Sequence, residues 1–241
     1  MNKKFLIIIP TLNEYKNISK IYKKIKKKYK LANLLFIDDN SIDGSKEEIS
    51  NLHKKDKKVN YIFRNKKLGI GSAHKLGIKF AKKKKYQFVC TIDCDGSHDP
   101  MYIVLMFKLI KDNDIVITNR FLIKNALNNW ELKRIIITKL RYYLVKFLLN
   151  SELDGSGGFR LYDLKKVNLK DIFQAKNNDY SFMWESIFLL EKKYNISEIP
   201  IKLPTRSIGS SKMRFKDIVN GFIYLLIIFI KYRINFFKNF T

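Results

Sequence analysis

Cysteine and arginine are both scarce in this chain of 241 residues. Its two cysteines, Cys90 and Cys94, are too few for a disulfide framework, so the composition fits a reducing, cytosolic compartment. Only eight of the 48 cationic residues are arginines, and the rest are lysines distributed along the whole sequence. The net charge of +26 therefore indicates a solvated cationic surface. A nucleic-acid site would alternate arginine with aromatic residues on one face, and we expect no nucleic-acid partner.

Long hydrophobic runs are also absent. The N-terminal run Phe5–Ile9 is too short for the apolar core of a signal peptide. The longest uncharged run, 218–230, would extend as a helix for roughly 20 Å, whereas a hydrocarbon core is roughly 30 Å thick. This run can pack on the protein core, or it can lie in a membrane surface with its basic flanks against anionic lipid. We expect the interfacial helix, and hence one domain over residues 1–213 followed by a membrane-associating segment at 214–241.

Apolar runs alternate with amphipathic segments through most of the sequence. The run Phe5–Ile9, which ends at Pro10, is typical of a strand buried on both faces, and Thr11 or Asn13 is expected to cap the helix that comes next. Strands that alternate with helices indicate an α/β fold with a mostly parallel sheet and right-handed crossovers. Further strands are predicted at 34–37, 61–63, 88–92, 114–118 and 196–203, and further helices at 46–53, 68–81, from Pro100, 131–150 and 180–191.

Two carboxylates, Asp93 and Asp95, come directly after the predicted strand Phe88–Ile92. Alternate residues at a strand end point the same way, so the two can converge on one cation, and oxygen ligands suit Mg²⁺ or Mn²⁺. A polar turn with Asp95-Gly96 explains the same residues equally well. Ligands of parallel sheets bind beyond the carboxyl ends of the strands, and other acidic side chains also fall there. This clustering favours a site, formed by Glu14, Asp39, Asp43, Asp93 and Asp95.

Two loops with small residues mark the second half of the chain. The segment 154–160 is rich in glycine but lacks the Lys-Ser/Thr pair of a phosphate-binding loop. The segment 206–212 contains two cations, Arg206 and Lys212.

Six motifs occur in the order of one known family: Pro10-Thr11-Leu12-Asn13-Glu14, Asp38-Asp39-x-Ser41-x-Asp43-Gly44, Leu68-Gly69-x-Gly71-Ser72-Ala73, Asp93-x-Asp95-x-Ser97-His98, Gly158-Phe159-Arg160 and Arg206-x-x-Gly209-x-Ser211-Lys212. Together they resemble the family 2 glycosyltransferases of the dolichol- or polyprenol-phosphate mannose synthase type. The resemblance extends from about Lys4 to Lys212.

The resemblance implies a GT-A fold and an inverting transfer of a hexose from a nucleotide sugar, GDP-mannose first, to a polyprenyl or dolichyl phosphate. It implies that the enzyme works at the cytoplasmic side of the cell membrane. By the family pattern, the nucleotide is bound by Pro10, Leu12, Glu14, Ile37, Asp39, Asp93, Cys94 and Asp95. The pattern assigns Mg²⁺ or Mn²⁺ to Asp93, Asp95 and Ser97. The catalytic and phosphate-contacting set is Asp95, Arg120, Arg134, Arg206 and Lys212.

Several positions depart from the family pattern. Leu12 replaces a frequent aromatic residue, and Ser97 replaces a glutamine that can assist metal binding. A UDP-hexose donor therefore stays open. So does a sugar-hydroxyl acceptor, which would need a general base, for which Glu185 is the candidate. For Arg141 and Arg214 we expect only surface or salt-bridge roles.

Overall fold

The structure is a computed structural model that describes residues 5–128, 130–204 and 214–238. The elements within these ranges are, in chain order, β1 (Phe5–Thr11), α1 (Tyr15–Lys28), β2 (Asn33–Asp38), α2 (Ser45–Lys55), β3 (Val59–Phe63), α3 (Ile70–Lys83), β4 (Phe88–Thr91), α4 (Tyr102–Leu109), β5 (Ile115–Asn119), α5 (Leu132–Leu149), β6 (Arg160–Asp163), α6 (Leu169–Ile172), α7 (Ser181–Leu190), β7 (Ile196–Pro200) and α8 (Phe215–Lys238).

The strands form one seven-stranded sheet in the order β3-β2-β1-β4-β6-β5-β7. All neighbouring pairs are parallel except those of β6, which runs antiparallel to both β4 and β5. The α/β fold with a mostly parallel sheet is therefore confirmed. The strand β6 was not predicted, because its four residues after a glycine-rich loop form too short a pattern to indicate a strand. Its direction matters for the site, since Arg160 pairs with Thr91 and the loop before β6 reaches the carboxyl end of β4.

The prediction that Thr11 or Asn13 caps α1 was wrong. The helix begins at Tyr15, so the capping position belongs to Glu14, whose side chain makes no capping hydrogen bond. The oxygens that accept hydrogen bonds from the backbone amides at the start of α1 belong to distant residues. Ser45 Oγ, at the start of α2, accepts from the Glu14 amide at 3.0 Å, and Asp43 Oδ2 accepts from the Tyr15 amide at 3.0 Å. A neighbouring loop replaces the local cap because the two strand ends lie side by side in the parallel sheet.

Alternate residues of the central strands enter separate cores on the two faces of the sheet. Phe5, Ile7 and Ile9 of β1 pack with α1, α2 and α4, whereas Leu6 and Ile8 pack with α3, α6 and α7. Cys90 and Cys94 are free and buried, as expected for small apolar residues, and burial raises the pKa of both thiols.

The helix α8 packs one side against α5 and α7. Its Leu225 and Ile228 are buried in a small core whose other members are Val145, Leu149, Trp184 and Phe188. The helix has 24 residues, so it extends well beyond the uncharged run that predicted it. Throughout the described ranges, no helix is long and apolar enough to cross a membrane.

Candidate active site

A first cavity of about 110 Å³ lies at the carboxyl ends of β1, β2 and β4. It is bordered on the other side by the start of α3 and by the residues before α7. All eight residues that the family pattern assigned to the nucleotide line it: Pro10, Leu12, Glu14, Ile37, Asp39, Asp93, Cys94 and Asp95. The parallel sheet brings them together because its strands end at one edge.

Asp39 holds the loop before α3 in place. Its Oδ1 accepts from the Leu68 amide at 2.7 Å and from Arg64 Nη2 at 2.9 Å, and its Oδ2 accepts from the Gly69 amide at 2.9 Å. Gly69 has φ +89°, and a Cβ there would lie 2.4 Å from the carbonyl oxygen of Asn178, so only glycine fits. The Asp39 carboxylate thus shapes the cavity wall as well as lining it.

Asp93 and Asp95 lie between the first cavity and a second, larger one, and line both. Asp95 Oδ1 accepts from the Ser97 amide at 3.0 Å and from Ser97 Oγ at 2.6 Å, which fixes the carboxylate over the turn after β4. A Cβ at Gly158 would lie 3.1 Å from Asp93 Oδ1, so the glycine leaves room for that carboxylate. In the described ranges, no group of three or more His, Cys, Asp or Glu side chains is arranged to hold a metal ion.

The second cavity has a volume of about 410 Å³ and joins a polar end to an apolar wall. The polar end contains the predicted residues Arg120 and Arg134. Arg120 is buried, and its Nε donates to Asp154 Oδ2 at 2.8 Å, whereas Arg134 stacks 3.6 Å above the Trp130 ring. The apolar wall comes from α5, α7, α8 and the segment after β7, through Ile137, Trp184, Leu203, Ile218, Phe222 and Leu225.

The expectation for Arg141 was wrong, since this residue lines the second cavity with Arg120 and Arg134. The helix α5 directs Arg141 toward the cavity. The amphipathic pattern of the sequence does not predict this, because it assigns cationic residues to the solvent-exposed side of a helix. Arg214 does have a salt-bridge role, with its Nη2 3.6 Å from Asp217 Oδ1. Arg206 and Lys212 lie outside the described residues.

Arg160, which is fully buried, holds the glycine-rich loop 154–160 in place through hydrogen bonds to its backbone. Its guanidinium donates to the carbonyl oxygens of Gly157 (2.8 Å), Gly155 (2.6 Å) and Met183 (2.6 Å), and to Ser186 Oγ (2.8 Å). This fork of donors fixes the loop beside Asp93 and joins it to α7.

Glu185, the candidate base for a sugar-hydroxyl acceptor, lies outside the two cavities. The side chain is buried. Its Oε1 accepts from the Lys176 amide at 2.9 Å and from Tyr224 Oη at 2.8 Å, and its Oε2 accepts from the Asn177 amide at 2.9 Å. The carboxylate therefore ties α7 to the preceding loop and to α8.

Several cavity residues were missed by sequence reasoning. Tyr180 lines both cavities, Lys67 lines the first, and Trp184 and Phe222 line the second. They belong to none of the six motifs. The sequence patterns of α7 and α8 predict that residues are buried, but they do not predict which residues line a cavity. Their contribution depends on packing between distant segments.

The chain is similar to known proteins over most of its length. Residues 6–169 match the family described as Glycosyl transferase family 2. A polyprenol monophosphomannose synthase from Mycolicibacterium smegmatis is 27% identical over 220 residues, which cover 88% of this chain and 82% of that protein. An undecaprenyl-phosphate mannosyltransferase from Micrococcus luteus is 26% identical over 210 residues, which cover 86% of each chain.

Solved structures with a similar fold include glucosyl-3-phosphoglycerate synthase from Mycobacterium tuberculosis. In its complex with Mn²⁺, UDP-glucose and phosphoglyceric acid, it matches 94% of this chain and 79% of its own with a TM-score of 0.68 and 13% identity. In its complex with Mg²⁺ and UDP, the match covers 86% of this chain and 72% of that one, with a TM-score of 0.60 and 14% identity. At this level of identity the likeness extends to the fold.

Proposed function

Because this chain belongs to glycosyl transferase family 2, we propose that it transfers a hexose from a nucleotide sugar to a polyprenyl phosphate. The observation that carries this proposal is the meeting of two unlike cavities at Asp93, Asp95 and Tyr180. One cavity has the residues of the nucleotide pattern, and the other joins guanidinium groups to an apolar wall. A sugar donor and a lipid phosphate entering from the two sides would meet at the shared residues.

The donor we favour is GDP-mannose. Support for mannose as the sugar comes from the names of the two relatives, a polyprenol monophosphomannose synthase and an undecaprenyl-phosphate mannosyltransferase. A UDP-hexose is the second choice, since the solved neighbours contain UDP or UDP-glucose. Leu12 in the first cavity offers a base an apolar contact that does not discriminate between the two.

A divalent cation, Mg²⁺ or Mn²⁺, fits the residues that separate the cavities. Asp93 and Asp95 supply ionisable oxygens, Gly158 leaves space beside Asp93, and Ser97 fixes Asp95 through two hydrogen bonds. In such sites the protein typically provides one or two carboxylate ligands, and diphosphate and water provide the remaining ligands. When bound, the cation supplies charge that stabilises a leaving nucleoside diphosphate. Solved structures with this fold contain Mn²⁺ or Mg²⁺.

The acceptor needs no general base if it is a phosphate monoester. The second pKa of such a group is roughly 6, so its attacking oxygen is already largely ionised at neutral pH. The protein then has to position the dianion and partly neutralise it, which suits Arg120 and Arg134. Arg206 and Lys212 are proposed to assist from the segment that precedes α8. The engagement of Glu185 in structural hydrogen bonds agrees with a reaction that lacks a carboxylate base.

We propose that the protein docks on the cytoplasmic side of the cell membrane through a surface formed by α5 and α8, called here the α5–α8 face. Its exposed apolar side chains recur three or four residues apart on both helices, apart from the adjacent pair Leu226 and Ile227. They are Leu132, Ile136, Leu140, Tyr143 and Phe147 on α5, and Phe215, Val219, Ile223, Leu226, Ile227 and Ile230 on α8. The second cavity lies between the same two helices, so a lipid phosphate would reach it from the surface.

The test is an incubation of the purified protein with undecaprenyl phosphate and Mg²⁺ or Mn²⁺ in the presence of GDP-mannose, UDP-glucose or other nucleotide sugars. We expect a glycosylated polyprenyl phosphate with one donor strongly preferred. Undecaprenol, which lacks the phosphate, serves as the matched acceptor and should remain unmodified. Transfer to undecaprenol or to a free sugar at a comparable rate would reject the phosphate-acceptor assignment.

A further inference from the structure

Arg141 faces the second cavity from the wall formed by α5. Arg134, Thr138 and Arg141 are spaced four and three residues apart, so they share one side of the helix, and all three line the cavity. Thr138 is buried between the two arginines. The guanidinium of Arg141 therefore belongs to the cavity surface, about two helical turns from Arg134.

Arg141 makes no hydrogen bond or ion pair with the described part of the chain, and its Nε is buried without an acceptor. The carboxylate that acts on its charge, Asp154, is already saturated. Asp154 Oδ2 accepts from Nε (2.8 Å) and from the amide (3.3 Å) of Arg120. Asp154 Oδ1 accepts from Oγ (2.6 Å) and from the amide (3.3 Å) of Ser156. A carboxylate has about four acceptor positions, so none is left for Arg141.

Arg141 has no direct partner among the nearby charges. Two guanidiniums, Arg120 and Arg141, are close to the carboxylate of Asp154, and only that of Arg120 is hydrogen-bonded to it. Burial and the neighbouring Arg120 lower the pKa of Arg141 to about 10, and Asp154 opposes this shift, so Arg141 stays protonated at neutral pH. A cation that is removed from water without a partner lowers stability. Such a group in a cavity is typical of a binding site for an anion.

We propose that Arg141 is an acceptor-binding residue that recognises the second negative charge of a phosphate monoester at the polar end of the second cavity. The identity of the lipid in this inference rests on the proposed function, whereas the preference for a doubly charged phosphate does not. A monoester dianion offers two charges, and a phosphodiester offers one. Asp154 offsets part of the charge of Arg120, so the added cation of Arg141 favours the dianionic monoester.

The proposal is tested by isothermal titration of the full-length protein with farnesyl phosphate and with its methyl ester, a phosphodiester of the same chain length. Arg141→Gln should weaken binding of farnesyl phosphate by about tenfold or more, since a charge-assisted contact is lost. Binding of the methyl ester should change by less than about threefold, as expected when a screened charge contributes little. Arg141→Lys, which keeps the charge, should retain most of the preference for the monoester.

Two controls separate binding from structure. Lys139→Gln removes a cation from an exposed position of the same helix and should leave both affinities unchanged. The thermal midpoint of Arg141→Gln should equal or exceed that of the wild type, because the variant removes an unpaired cation. A midpoint several degrees lower, or equal losses of affinity for the two ligands, would overturn the proposal in favour of a structural role for Arg141. Unchanged binding of farnesyl phosphate would overturn it as well.

Inorganic phosphate separates this proposal from the lipid assignment. The wild type could bind inorganic phosphate in an Arg141-dependent way without binding farnesyl phosphate. That result would support an anion site at Arg141 and reject the proposal that the acceptor is a polyprenyl phosphate. If the wild type binds neither ligand, both are wrong.

Discussion

Three arginines in or beside the segment 154–160 differ in their partners. Arg160 donates to neutral oxygens only, Arg120 is paired with the carboxylate of Asp154, and Arg141 has no partner within the described ranges. His74 is also fully buried, and burial together with Arg160 lowers its pKa to about 3, so it is neutral in the folded protein. These differences separate Arg160, which holds the loop, from Arg141, whose charge is available to a ligand.

The carboxylates of the proposed metal site can be tested by Asp95→Asn. Asparagine keeps an oxygen for the Ser97 amide and hydroxyl, so the turn after β4 should survive. Transfer should fall by about a hundredfold or more, because the ligand has lost its negative charge. The measurements are the transfer rate, the Mn²⁺ dependence of nucleoside diphosphate binding and the unfolding midpoint. Ser97→Ala, which removes one of the two hydrogen bonds, should have a smaller effect. Full activity of the native protein in EDTA would reject the metal.

Glu191 gives the folded protein a pH dependence. Burial raises the pKa of Glu191 from 4.5 to about 7, although Ser151 Oγ donates to it at 2.8 Å and Lys192 opposes the shift, while Glu198 and Glu152 add to it. Between pH 4.5 and 7 the folded state keeps a proton that the unfolded state has lost, so stability falls as the pH rises through this window. Glu191→Gln should therefore raise the free energy of unfolding at pH 8 by about 1–2 kcal/mol, after allowance for partial solvent screening, and change it little at pH 4.

Urea unfolding at a series of pH values measures this effect. Asp112→Asn, an exposed substitution, is the control and should leave the pH profile unchanged. If Glu191→Gln keeps the decline in stability between pH 5 and pH 7 that we expect of the wild type, another group is responsible for it.

At the level of elements, α8 has two different sides. One side buries Leu225 and Ile228 against Trp184 and Phe188, and the other carries its part of the α5–α8 face. Deleting the helix would uncover this small core, so a loss of membrane binding in a truncated protein would be confused with a loss of stability. Single substitutions on the exposed side test the surface without that ambiguity.

Phe147→Asp combined with Ile223→Asp should weaken binding to vesicles that contain anionic lipid by about tenfold or more, because each apolar side chain contributes on the order of 1 kcal/mol or more when it enters the interface. The two side chains are 82% and 53% exposed, so the unfolding midpoint should stay close to that of the wild type. Leu31→Asp, an exposed substitution in the turn between α1 and β2, is the matched control. Cosedimentation with vesicles measures the binding, and equal binding by all three proteins would contradict docking through the α5–α8 face.

At the level of the whole molecule, the net charge of +26 and the α5–α8 face make separable contributions to any surface binding. Electrostatic attraction is screened over about 10 Å at 0.1 M salt and over about 3 Å at 1 M, whereas apolar contacts persist. A cation-rich protein will also attract nucleic acid nonspecifically at low salt. The response to salt therefore distinguishes a membrane protein from a nucleic-acid-binding one.

Raising the NaCl concentration from about 0.05 M to about 0.5 M should release only part of the protein from anionic vesicles, while it abolishes binding to duplex DNA. Both are measured by cosedimentation or by fluorescence anisotropy of the labelled ligand. Complete release from vesicles together with DNA binding that survives 0.5 M salt would favour the nucleic-acid alternative.

The sequence by itself determined the sheet and the edge at which the site lies. Continuous apolar runs such as Phe5–Ile9 predict strands buried on both faces, and parallel strands align their carboxyl ends, so Glu14, Asp39, Asp93 and Asp95 had to meet. This information is local, because it depends only on the period of apolar residues and on the residue types directly after each strand. The motif residues then indicated the nucleotide cavity before any packing was known.

Only the tertiary structure decided which side of a helix faces a cavity and which charges are paired. Asp154 binds Arg120, 34 positions earlier in the chain, and this pairing is what leaves Arg141 without a partner in the described ranges. The antiparallel insertion of β6 likewise places the glycine-rich loop beside Asp93, although the strand itself is too short to predict. Such contacts join segments whose separation is fixed by the packing of whole layers, and neither periodicity nor composition carries that information.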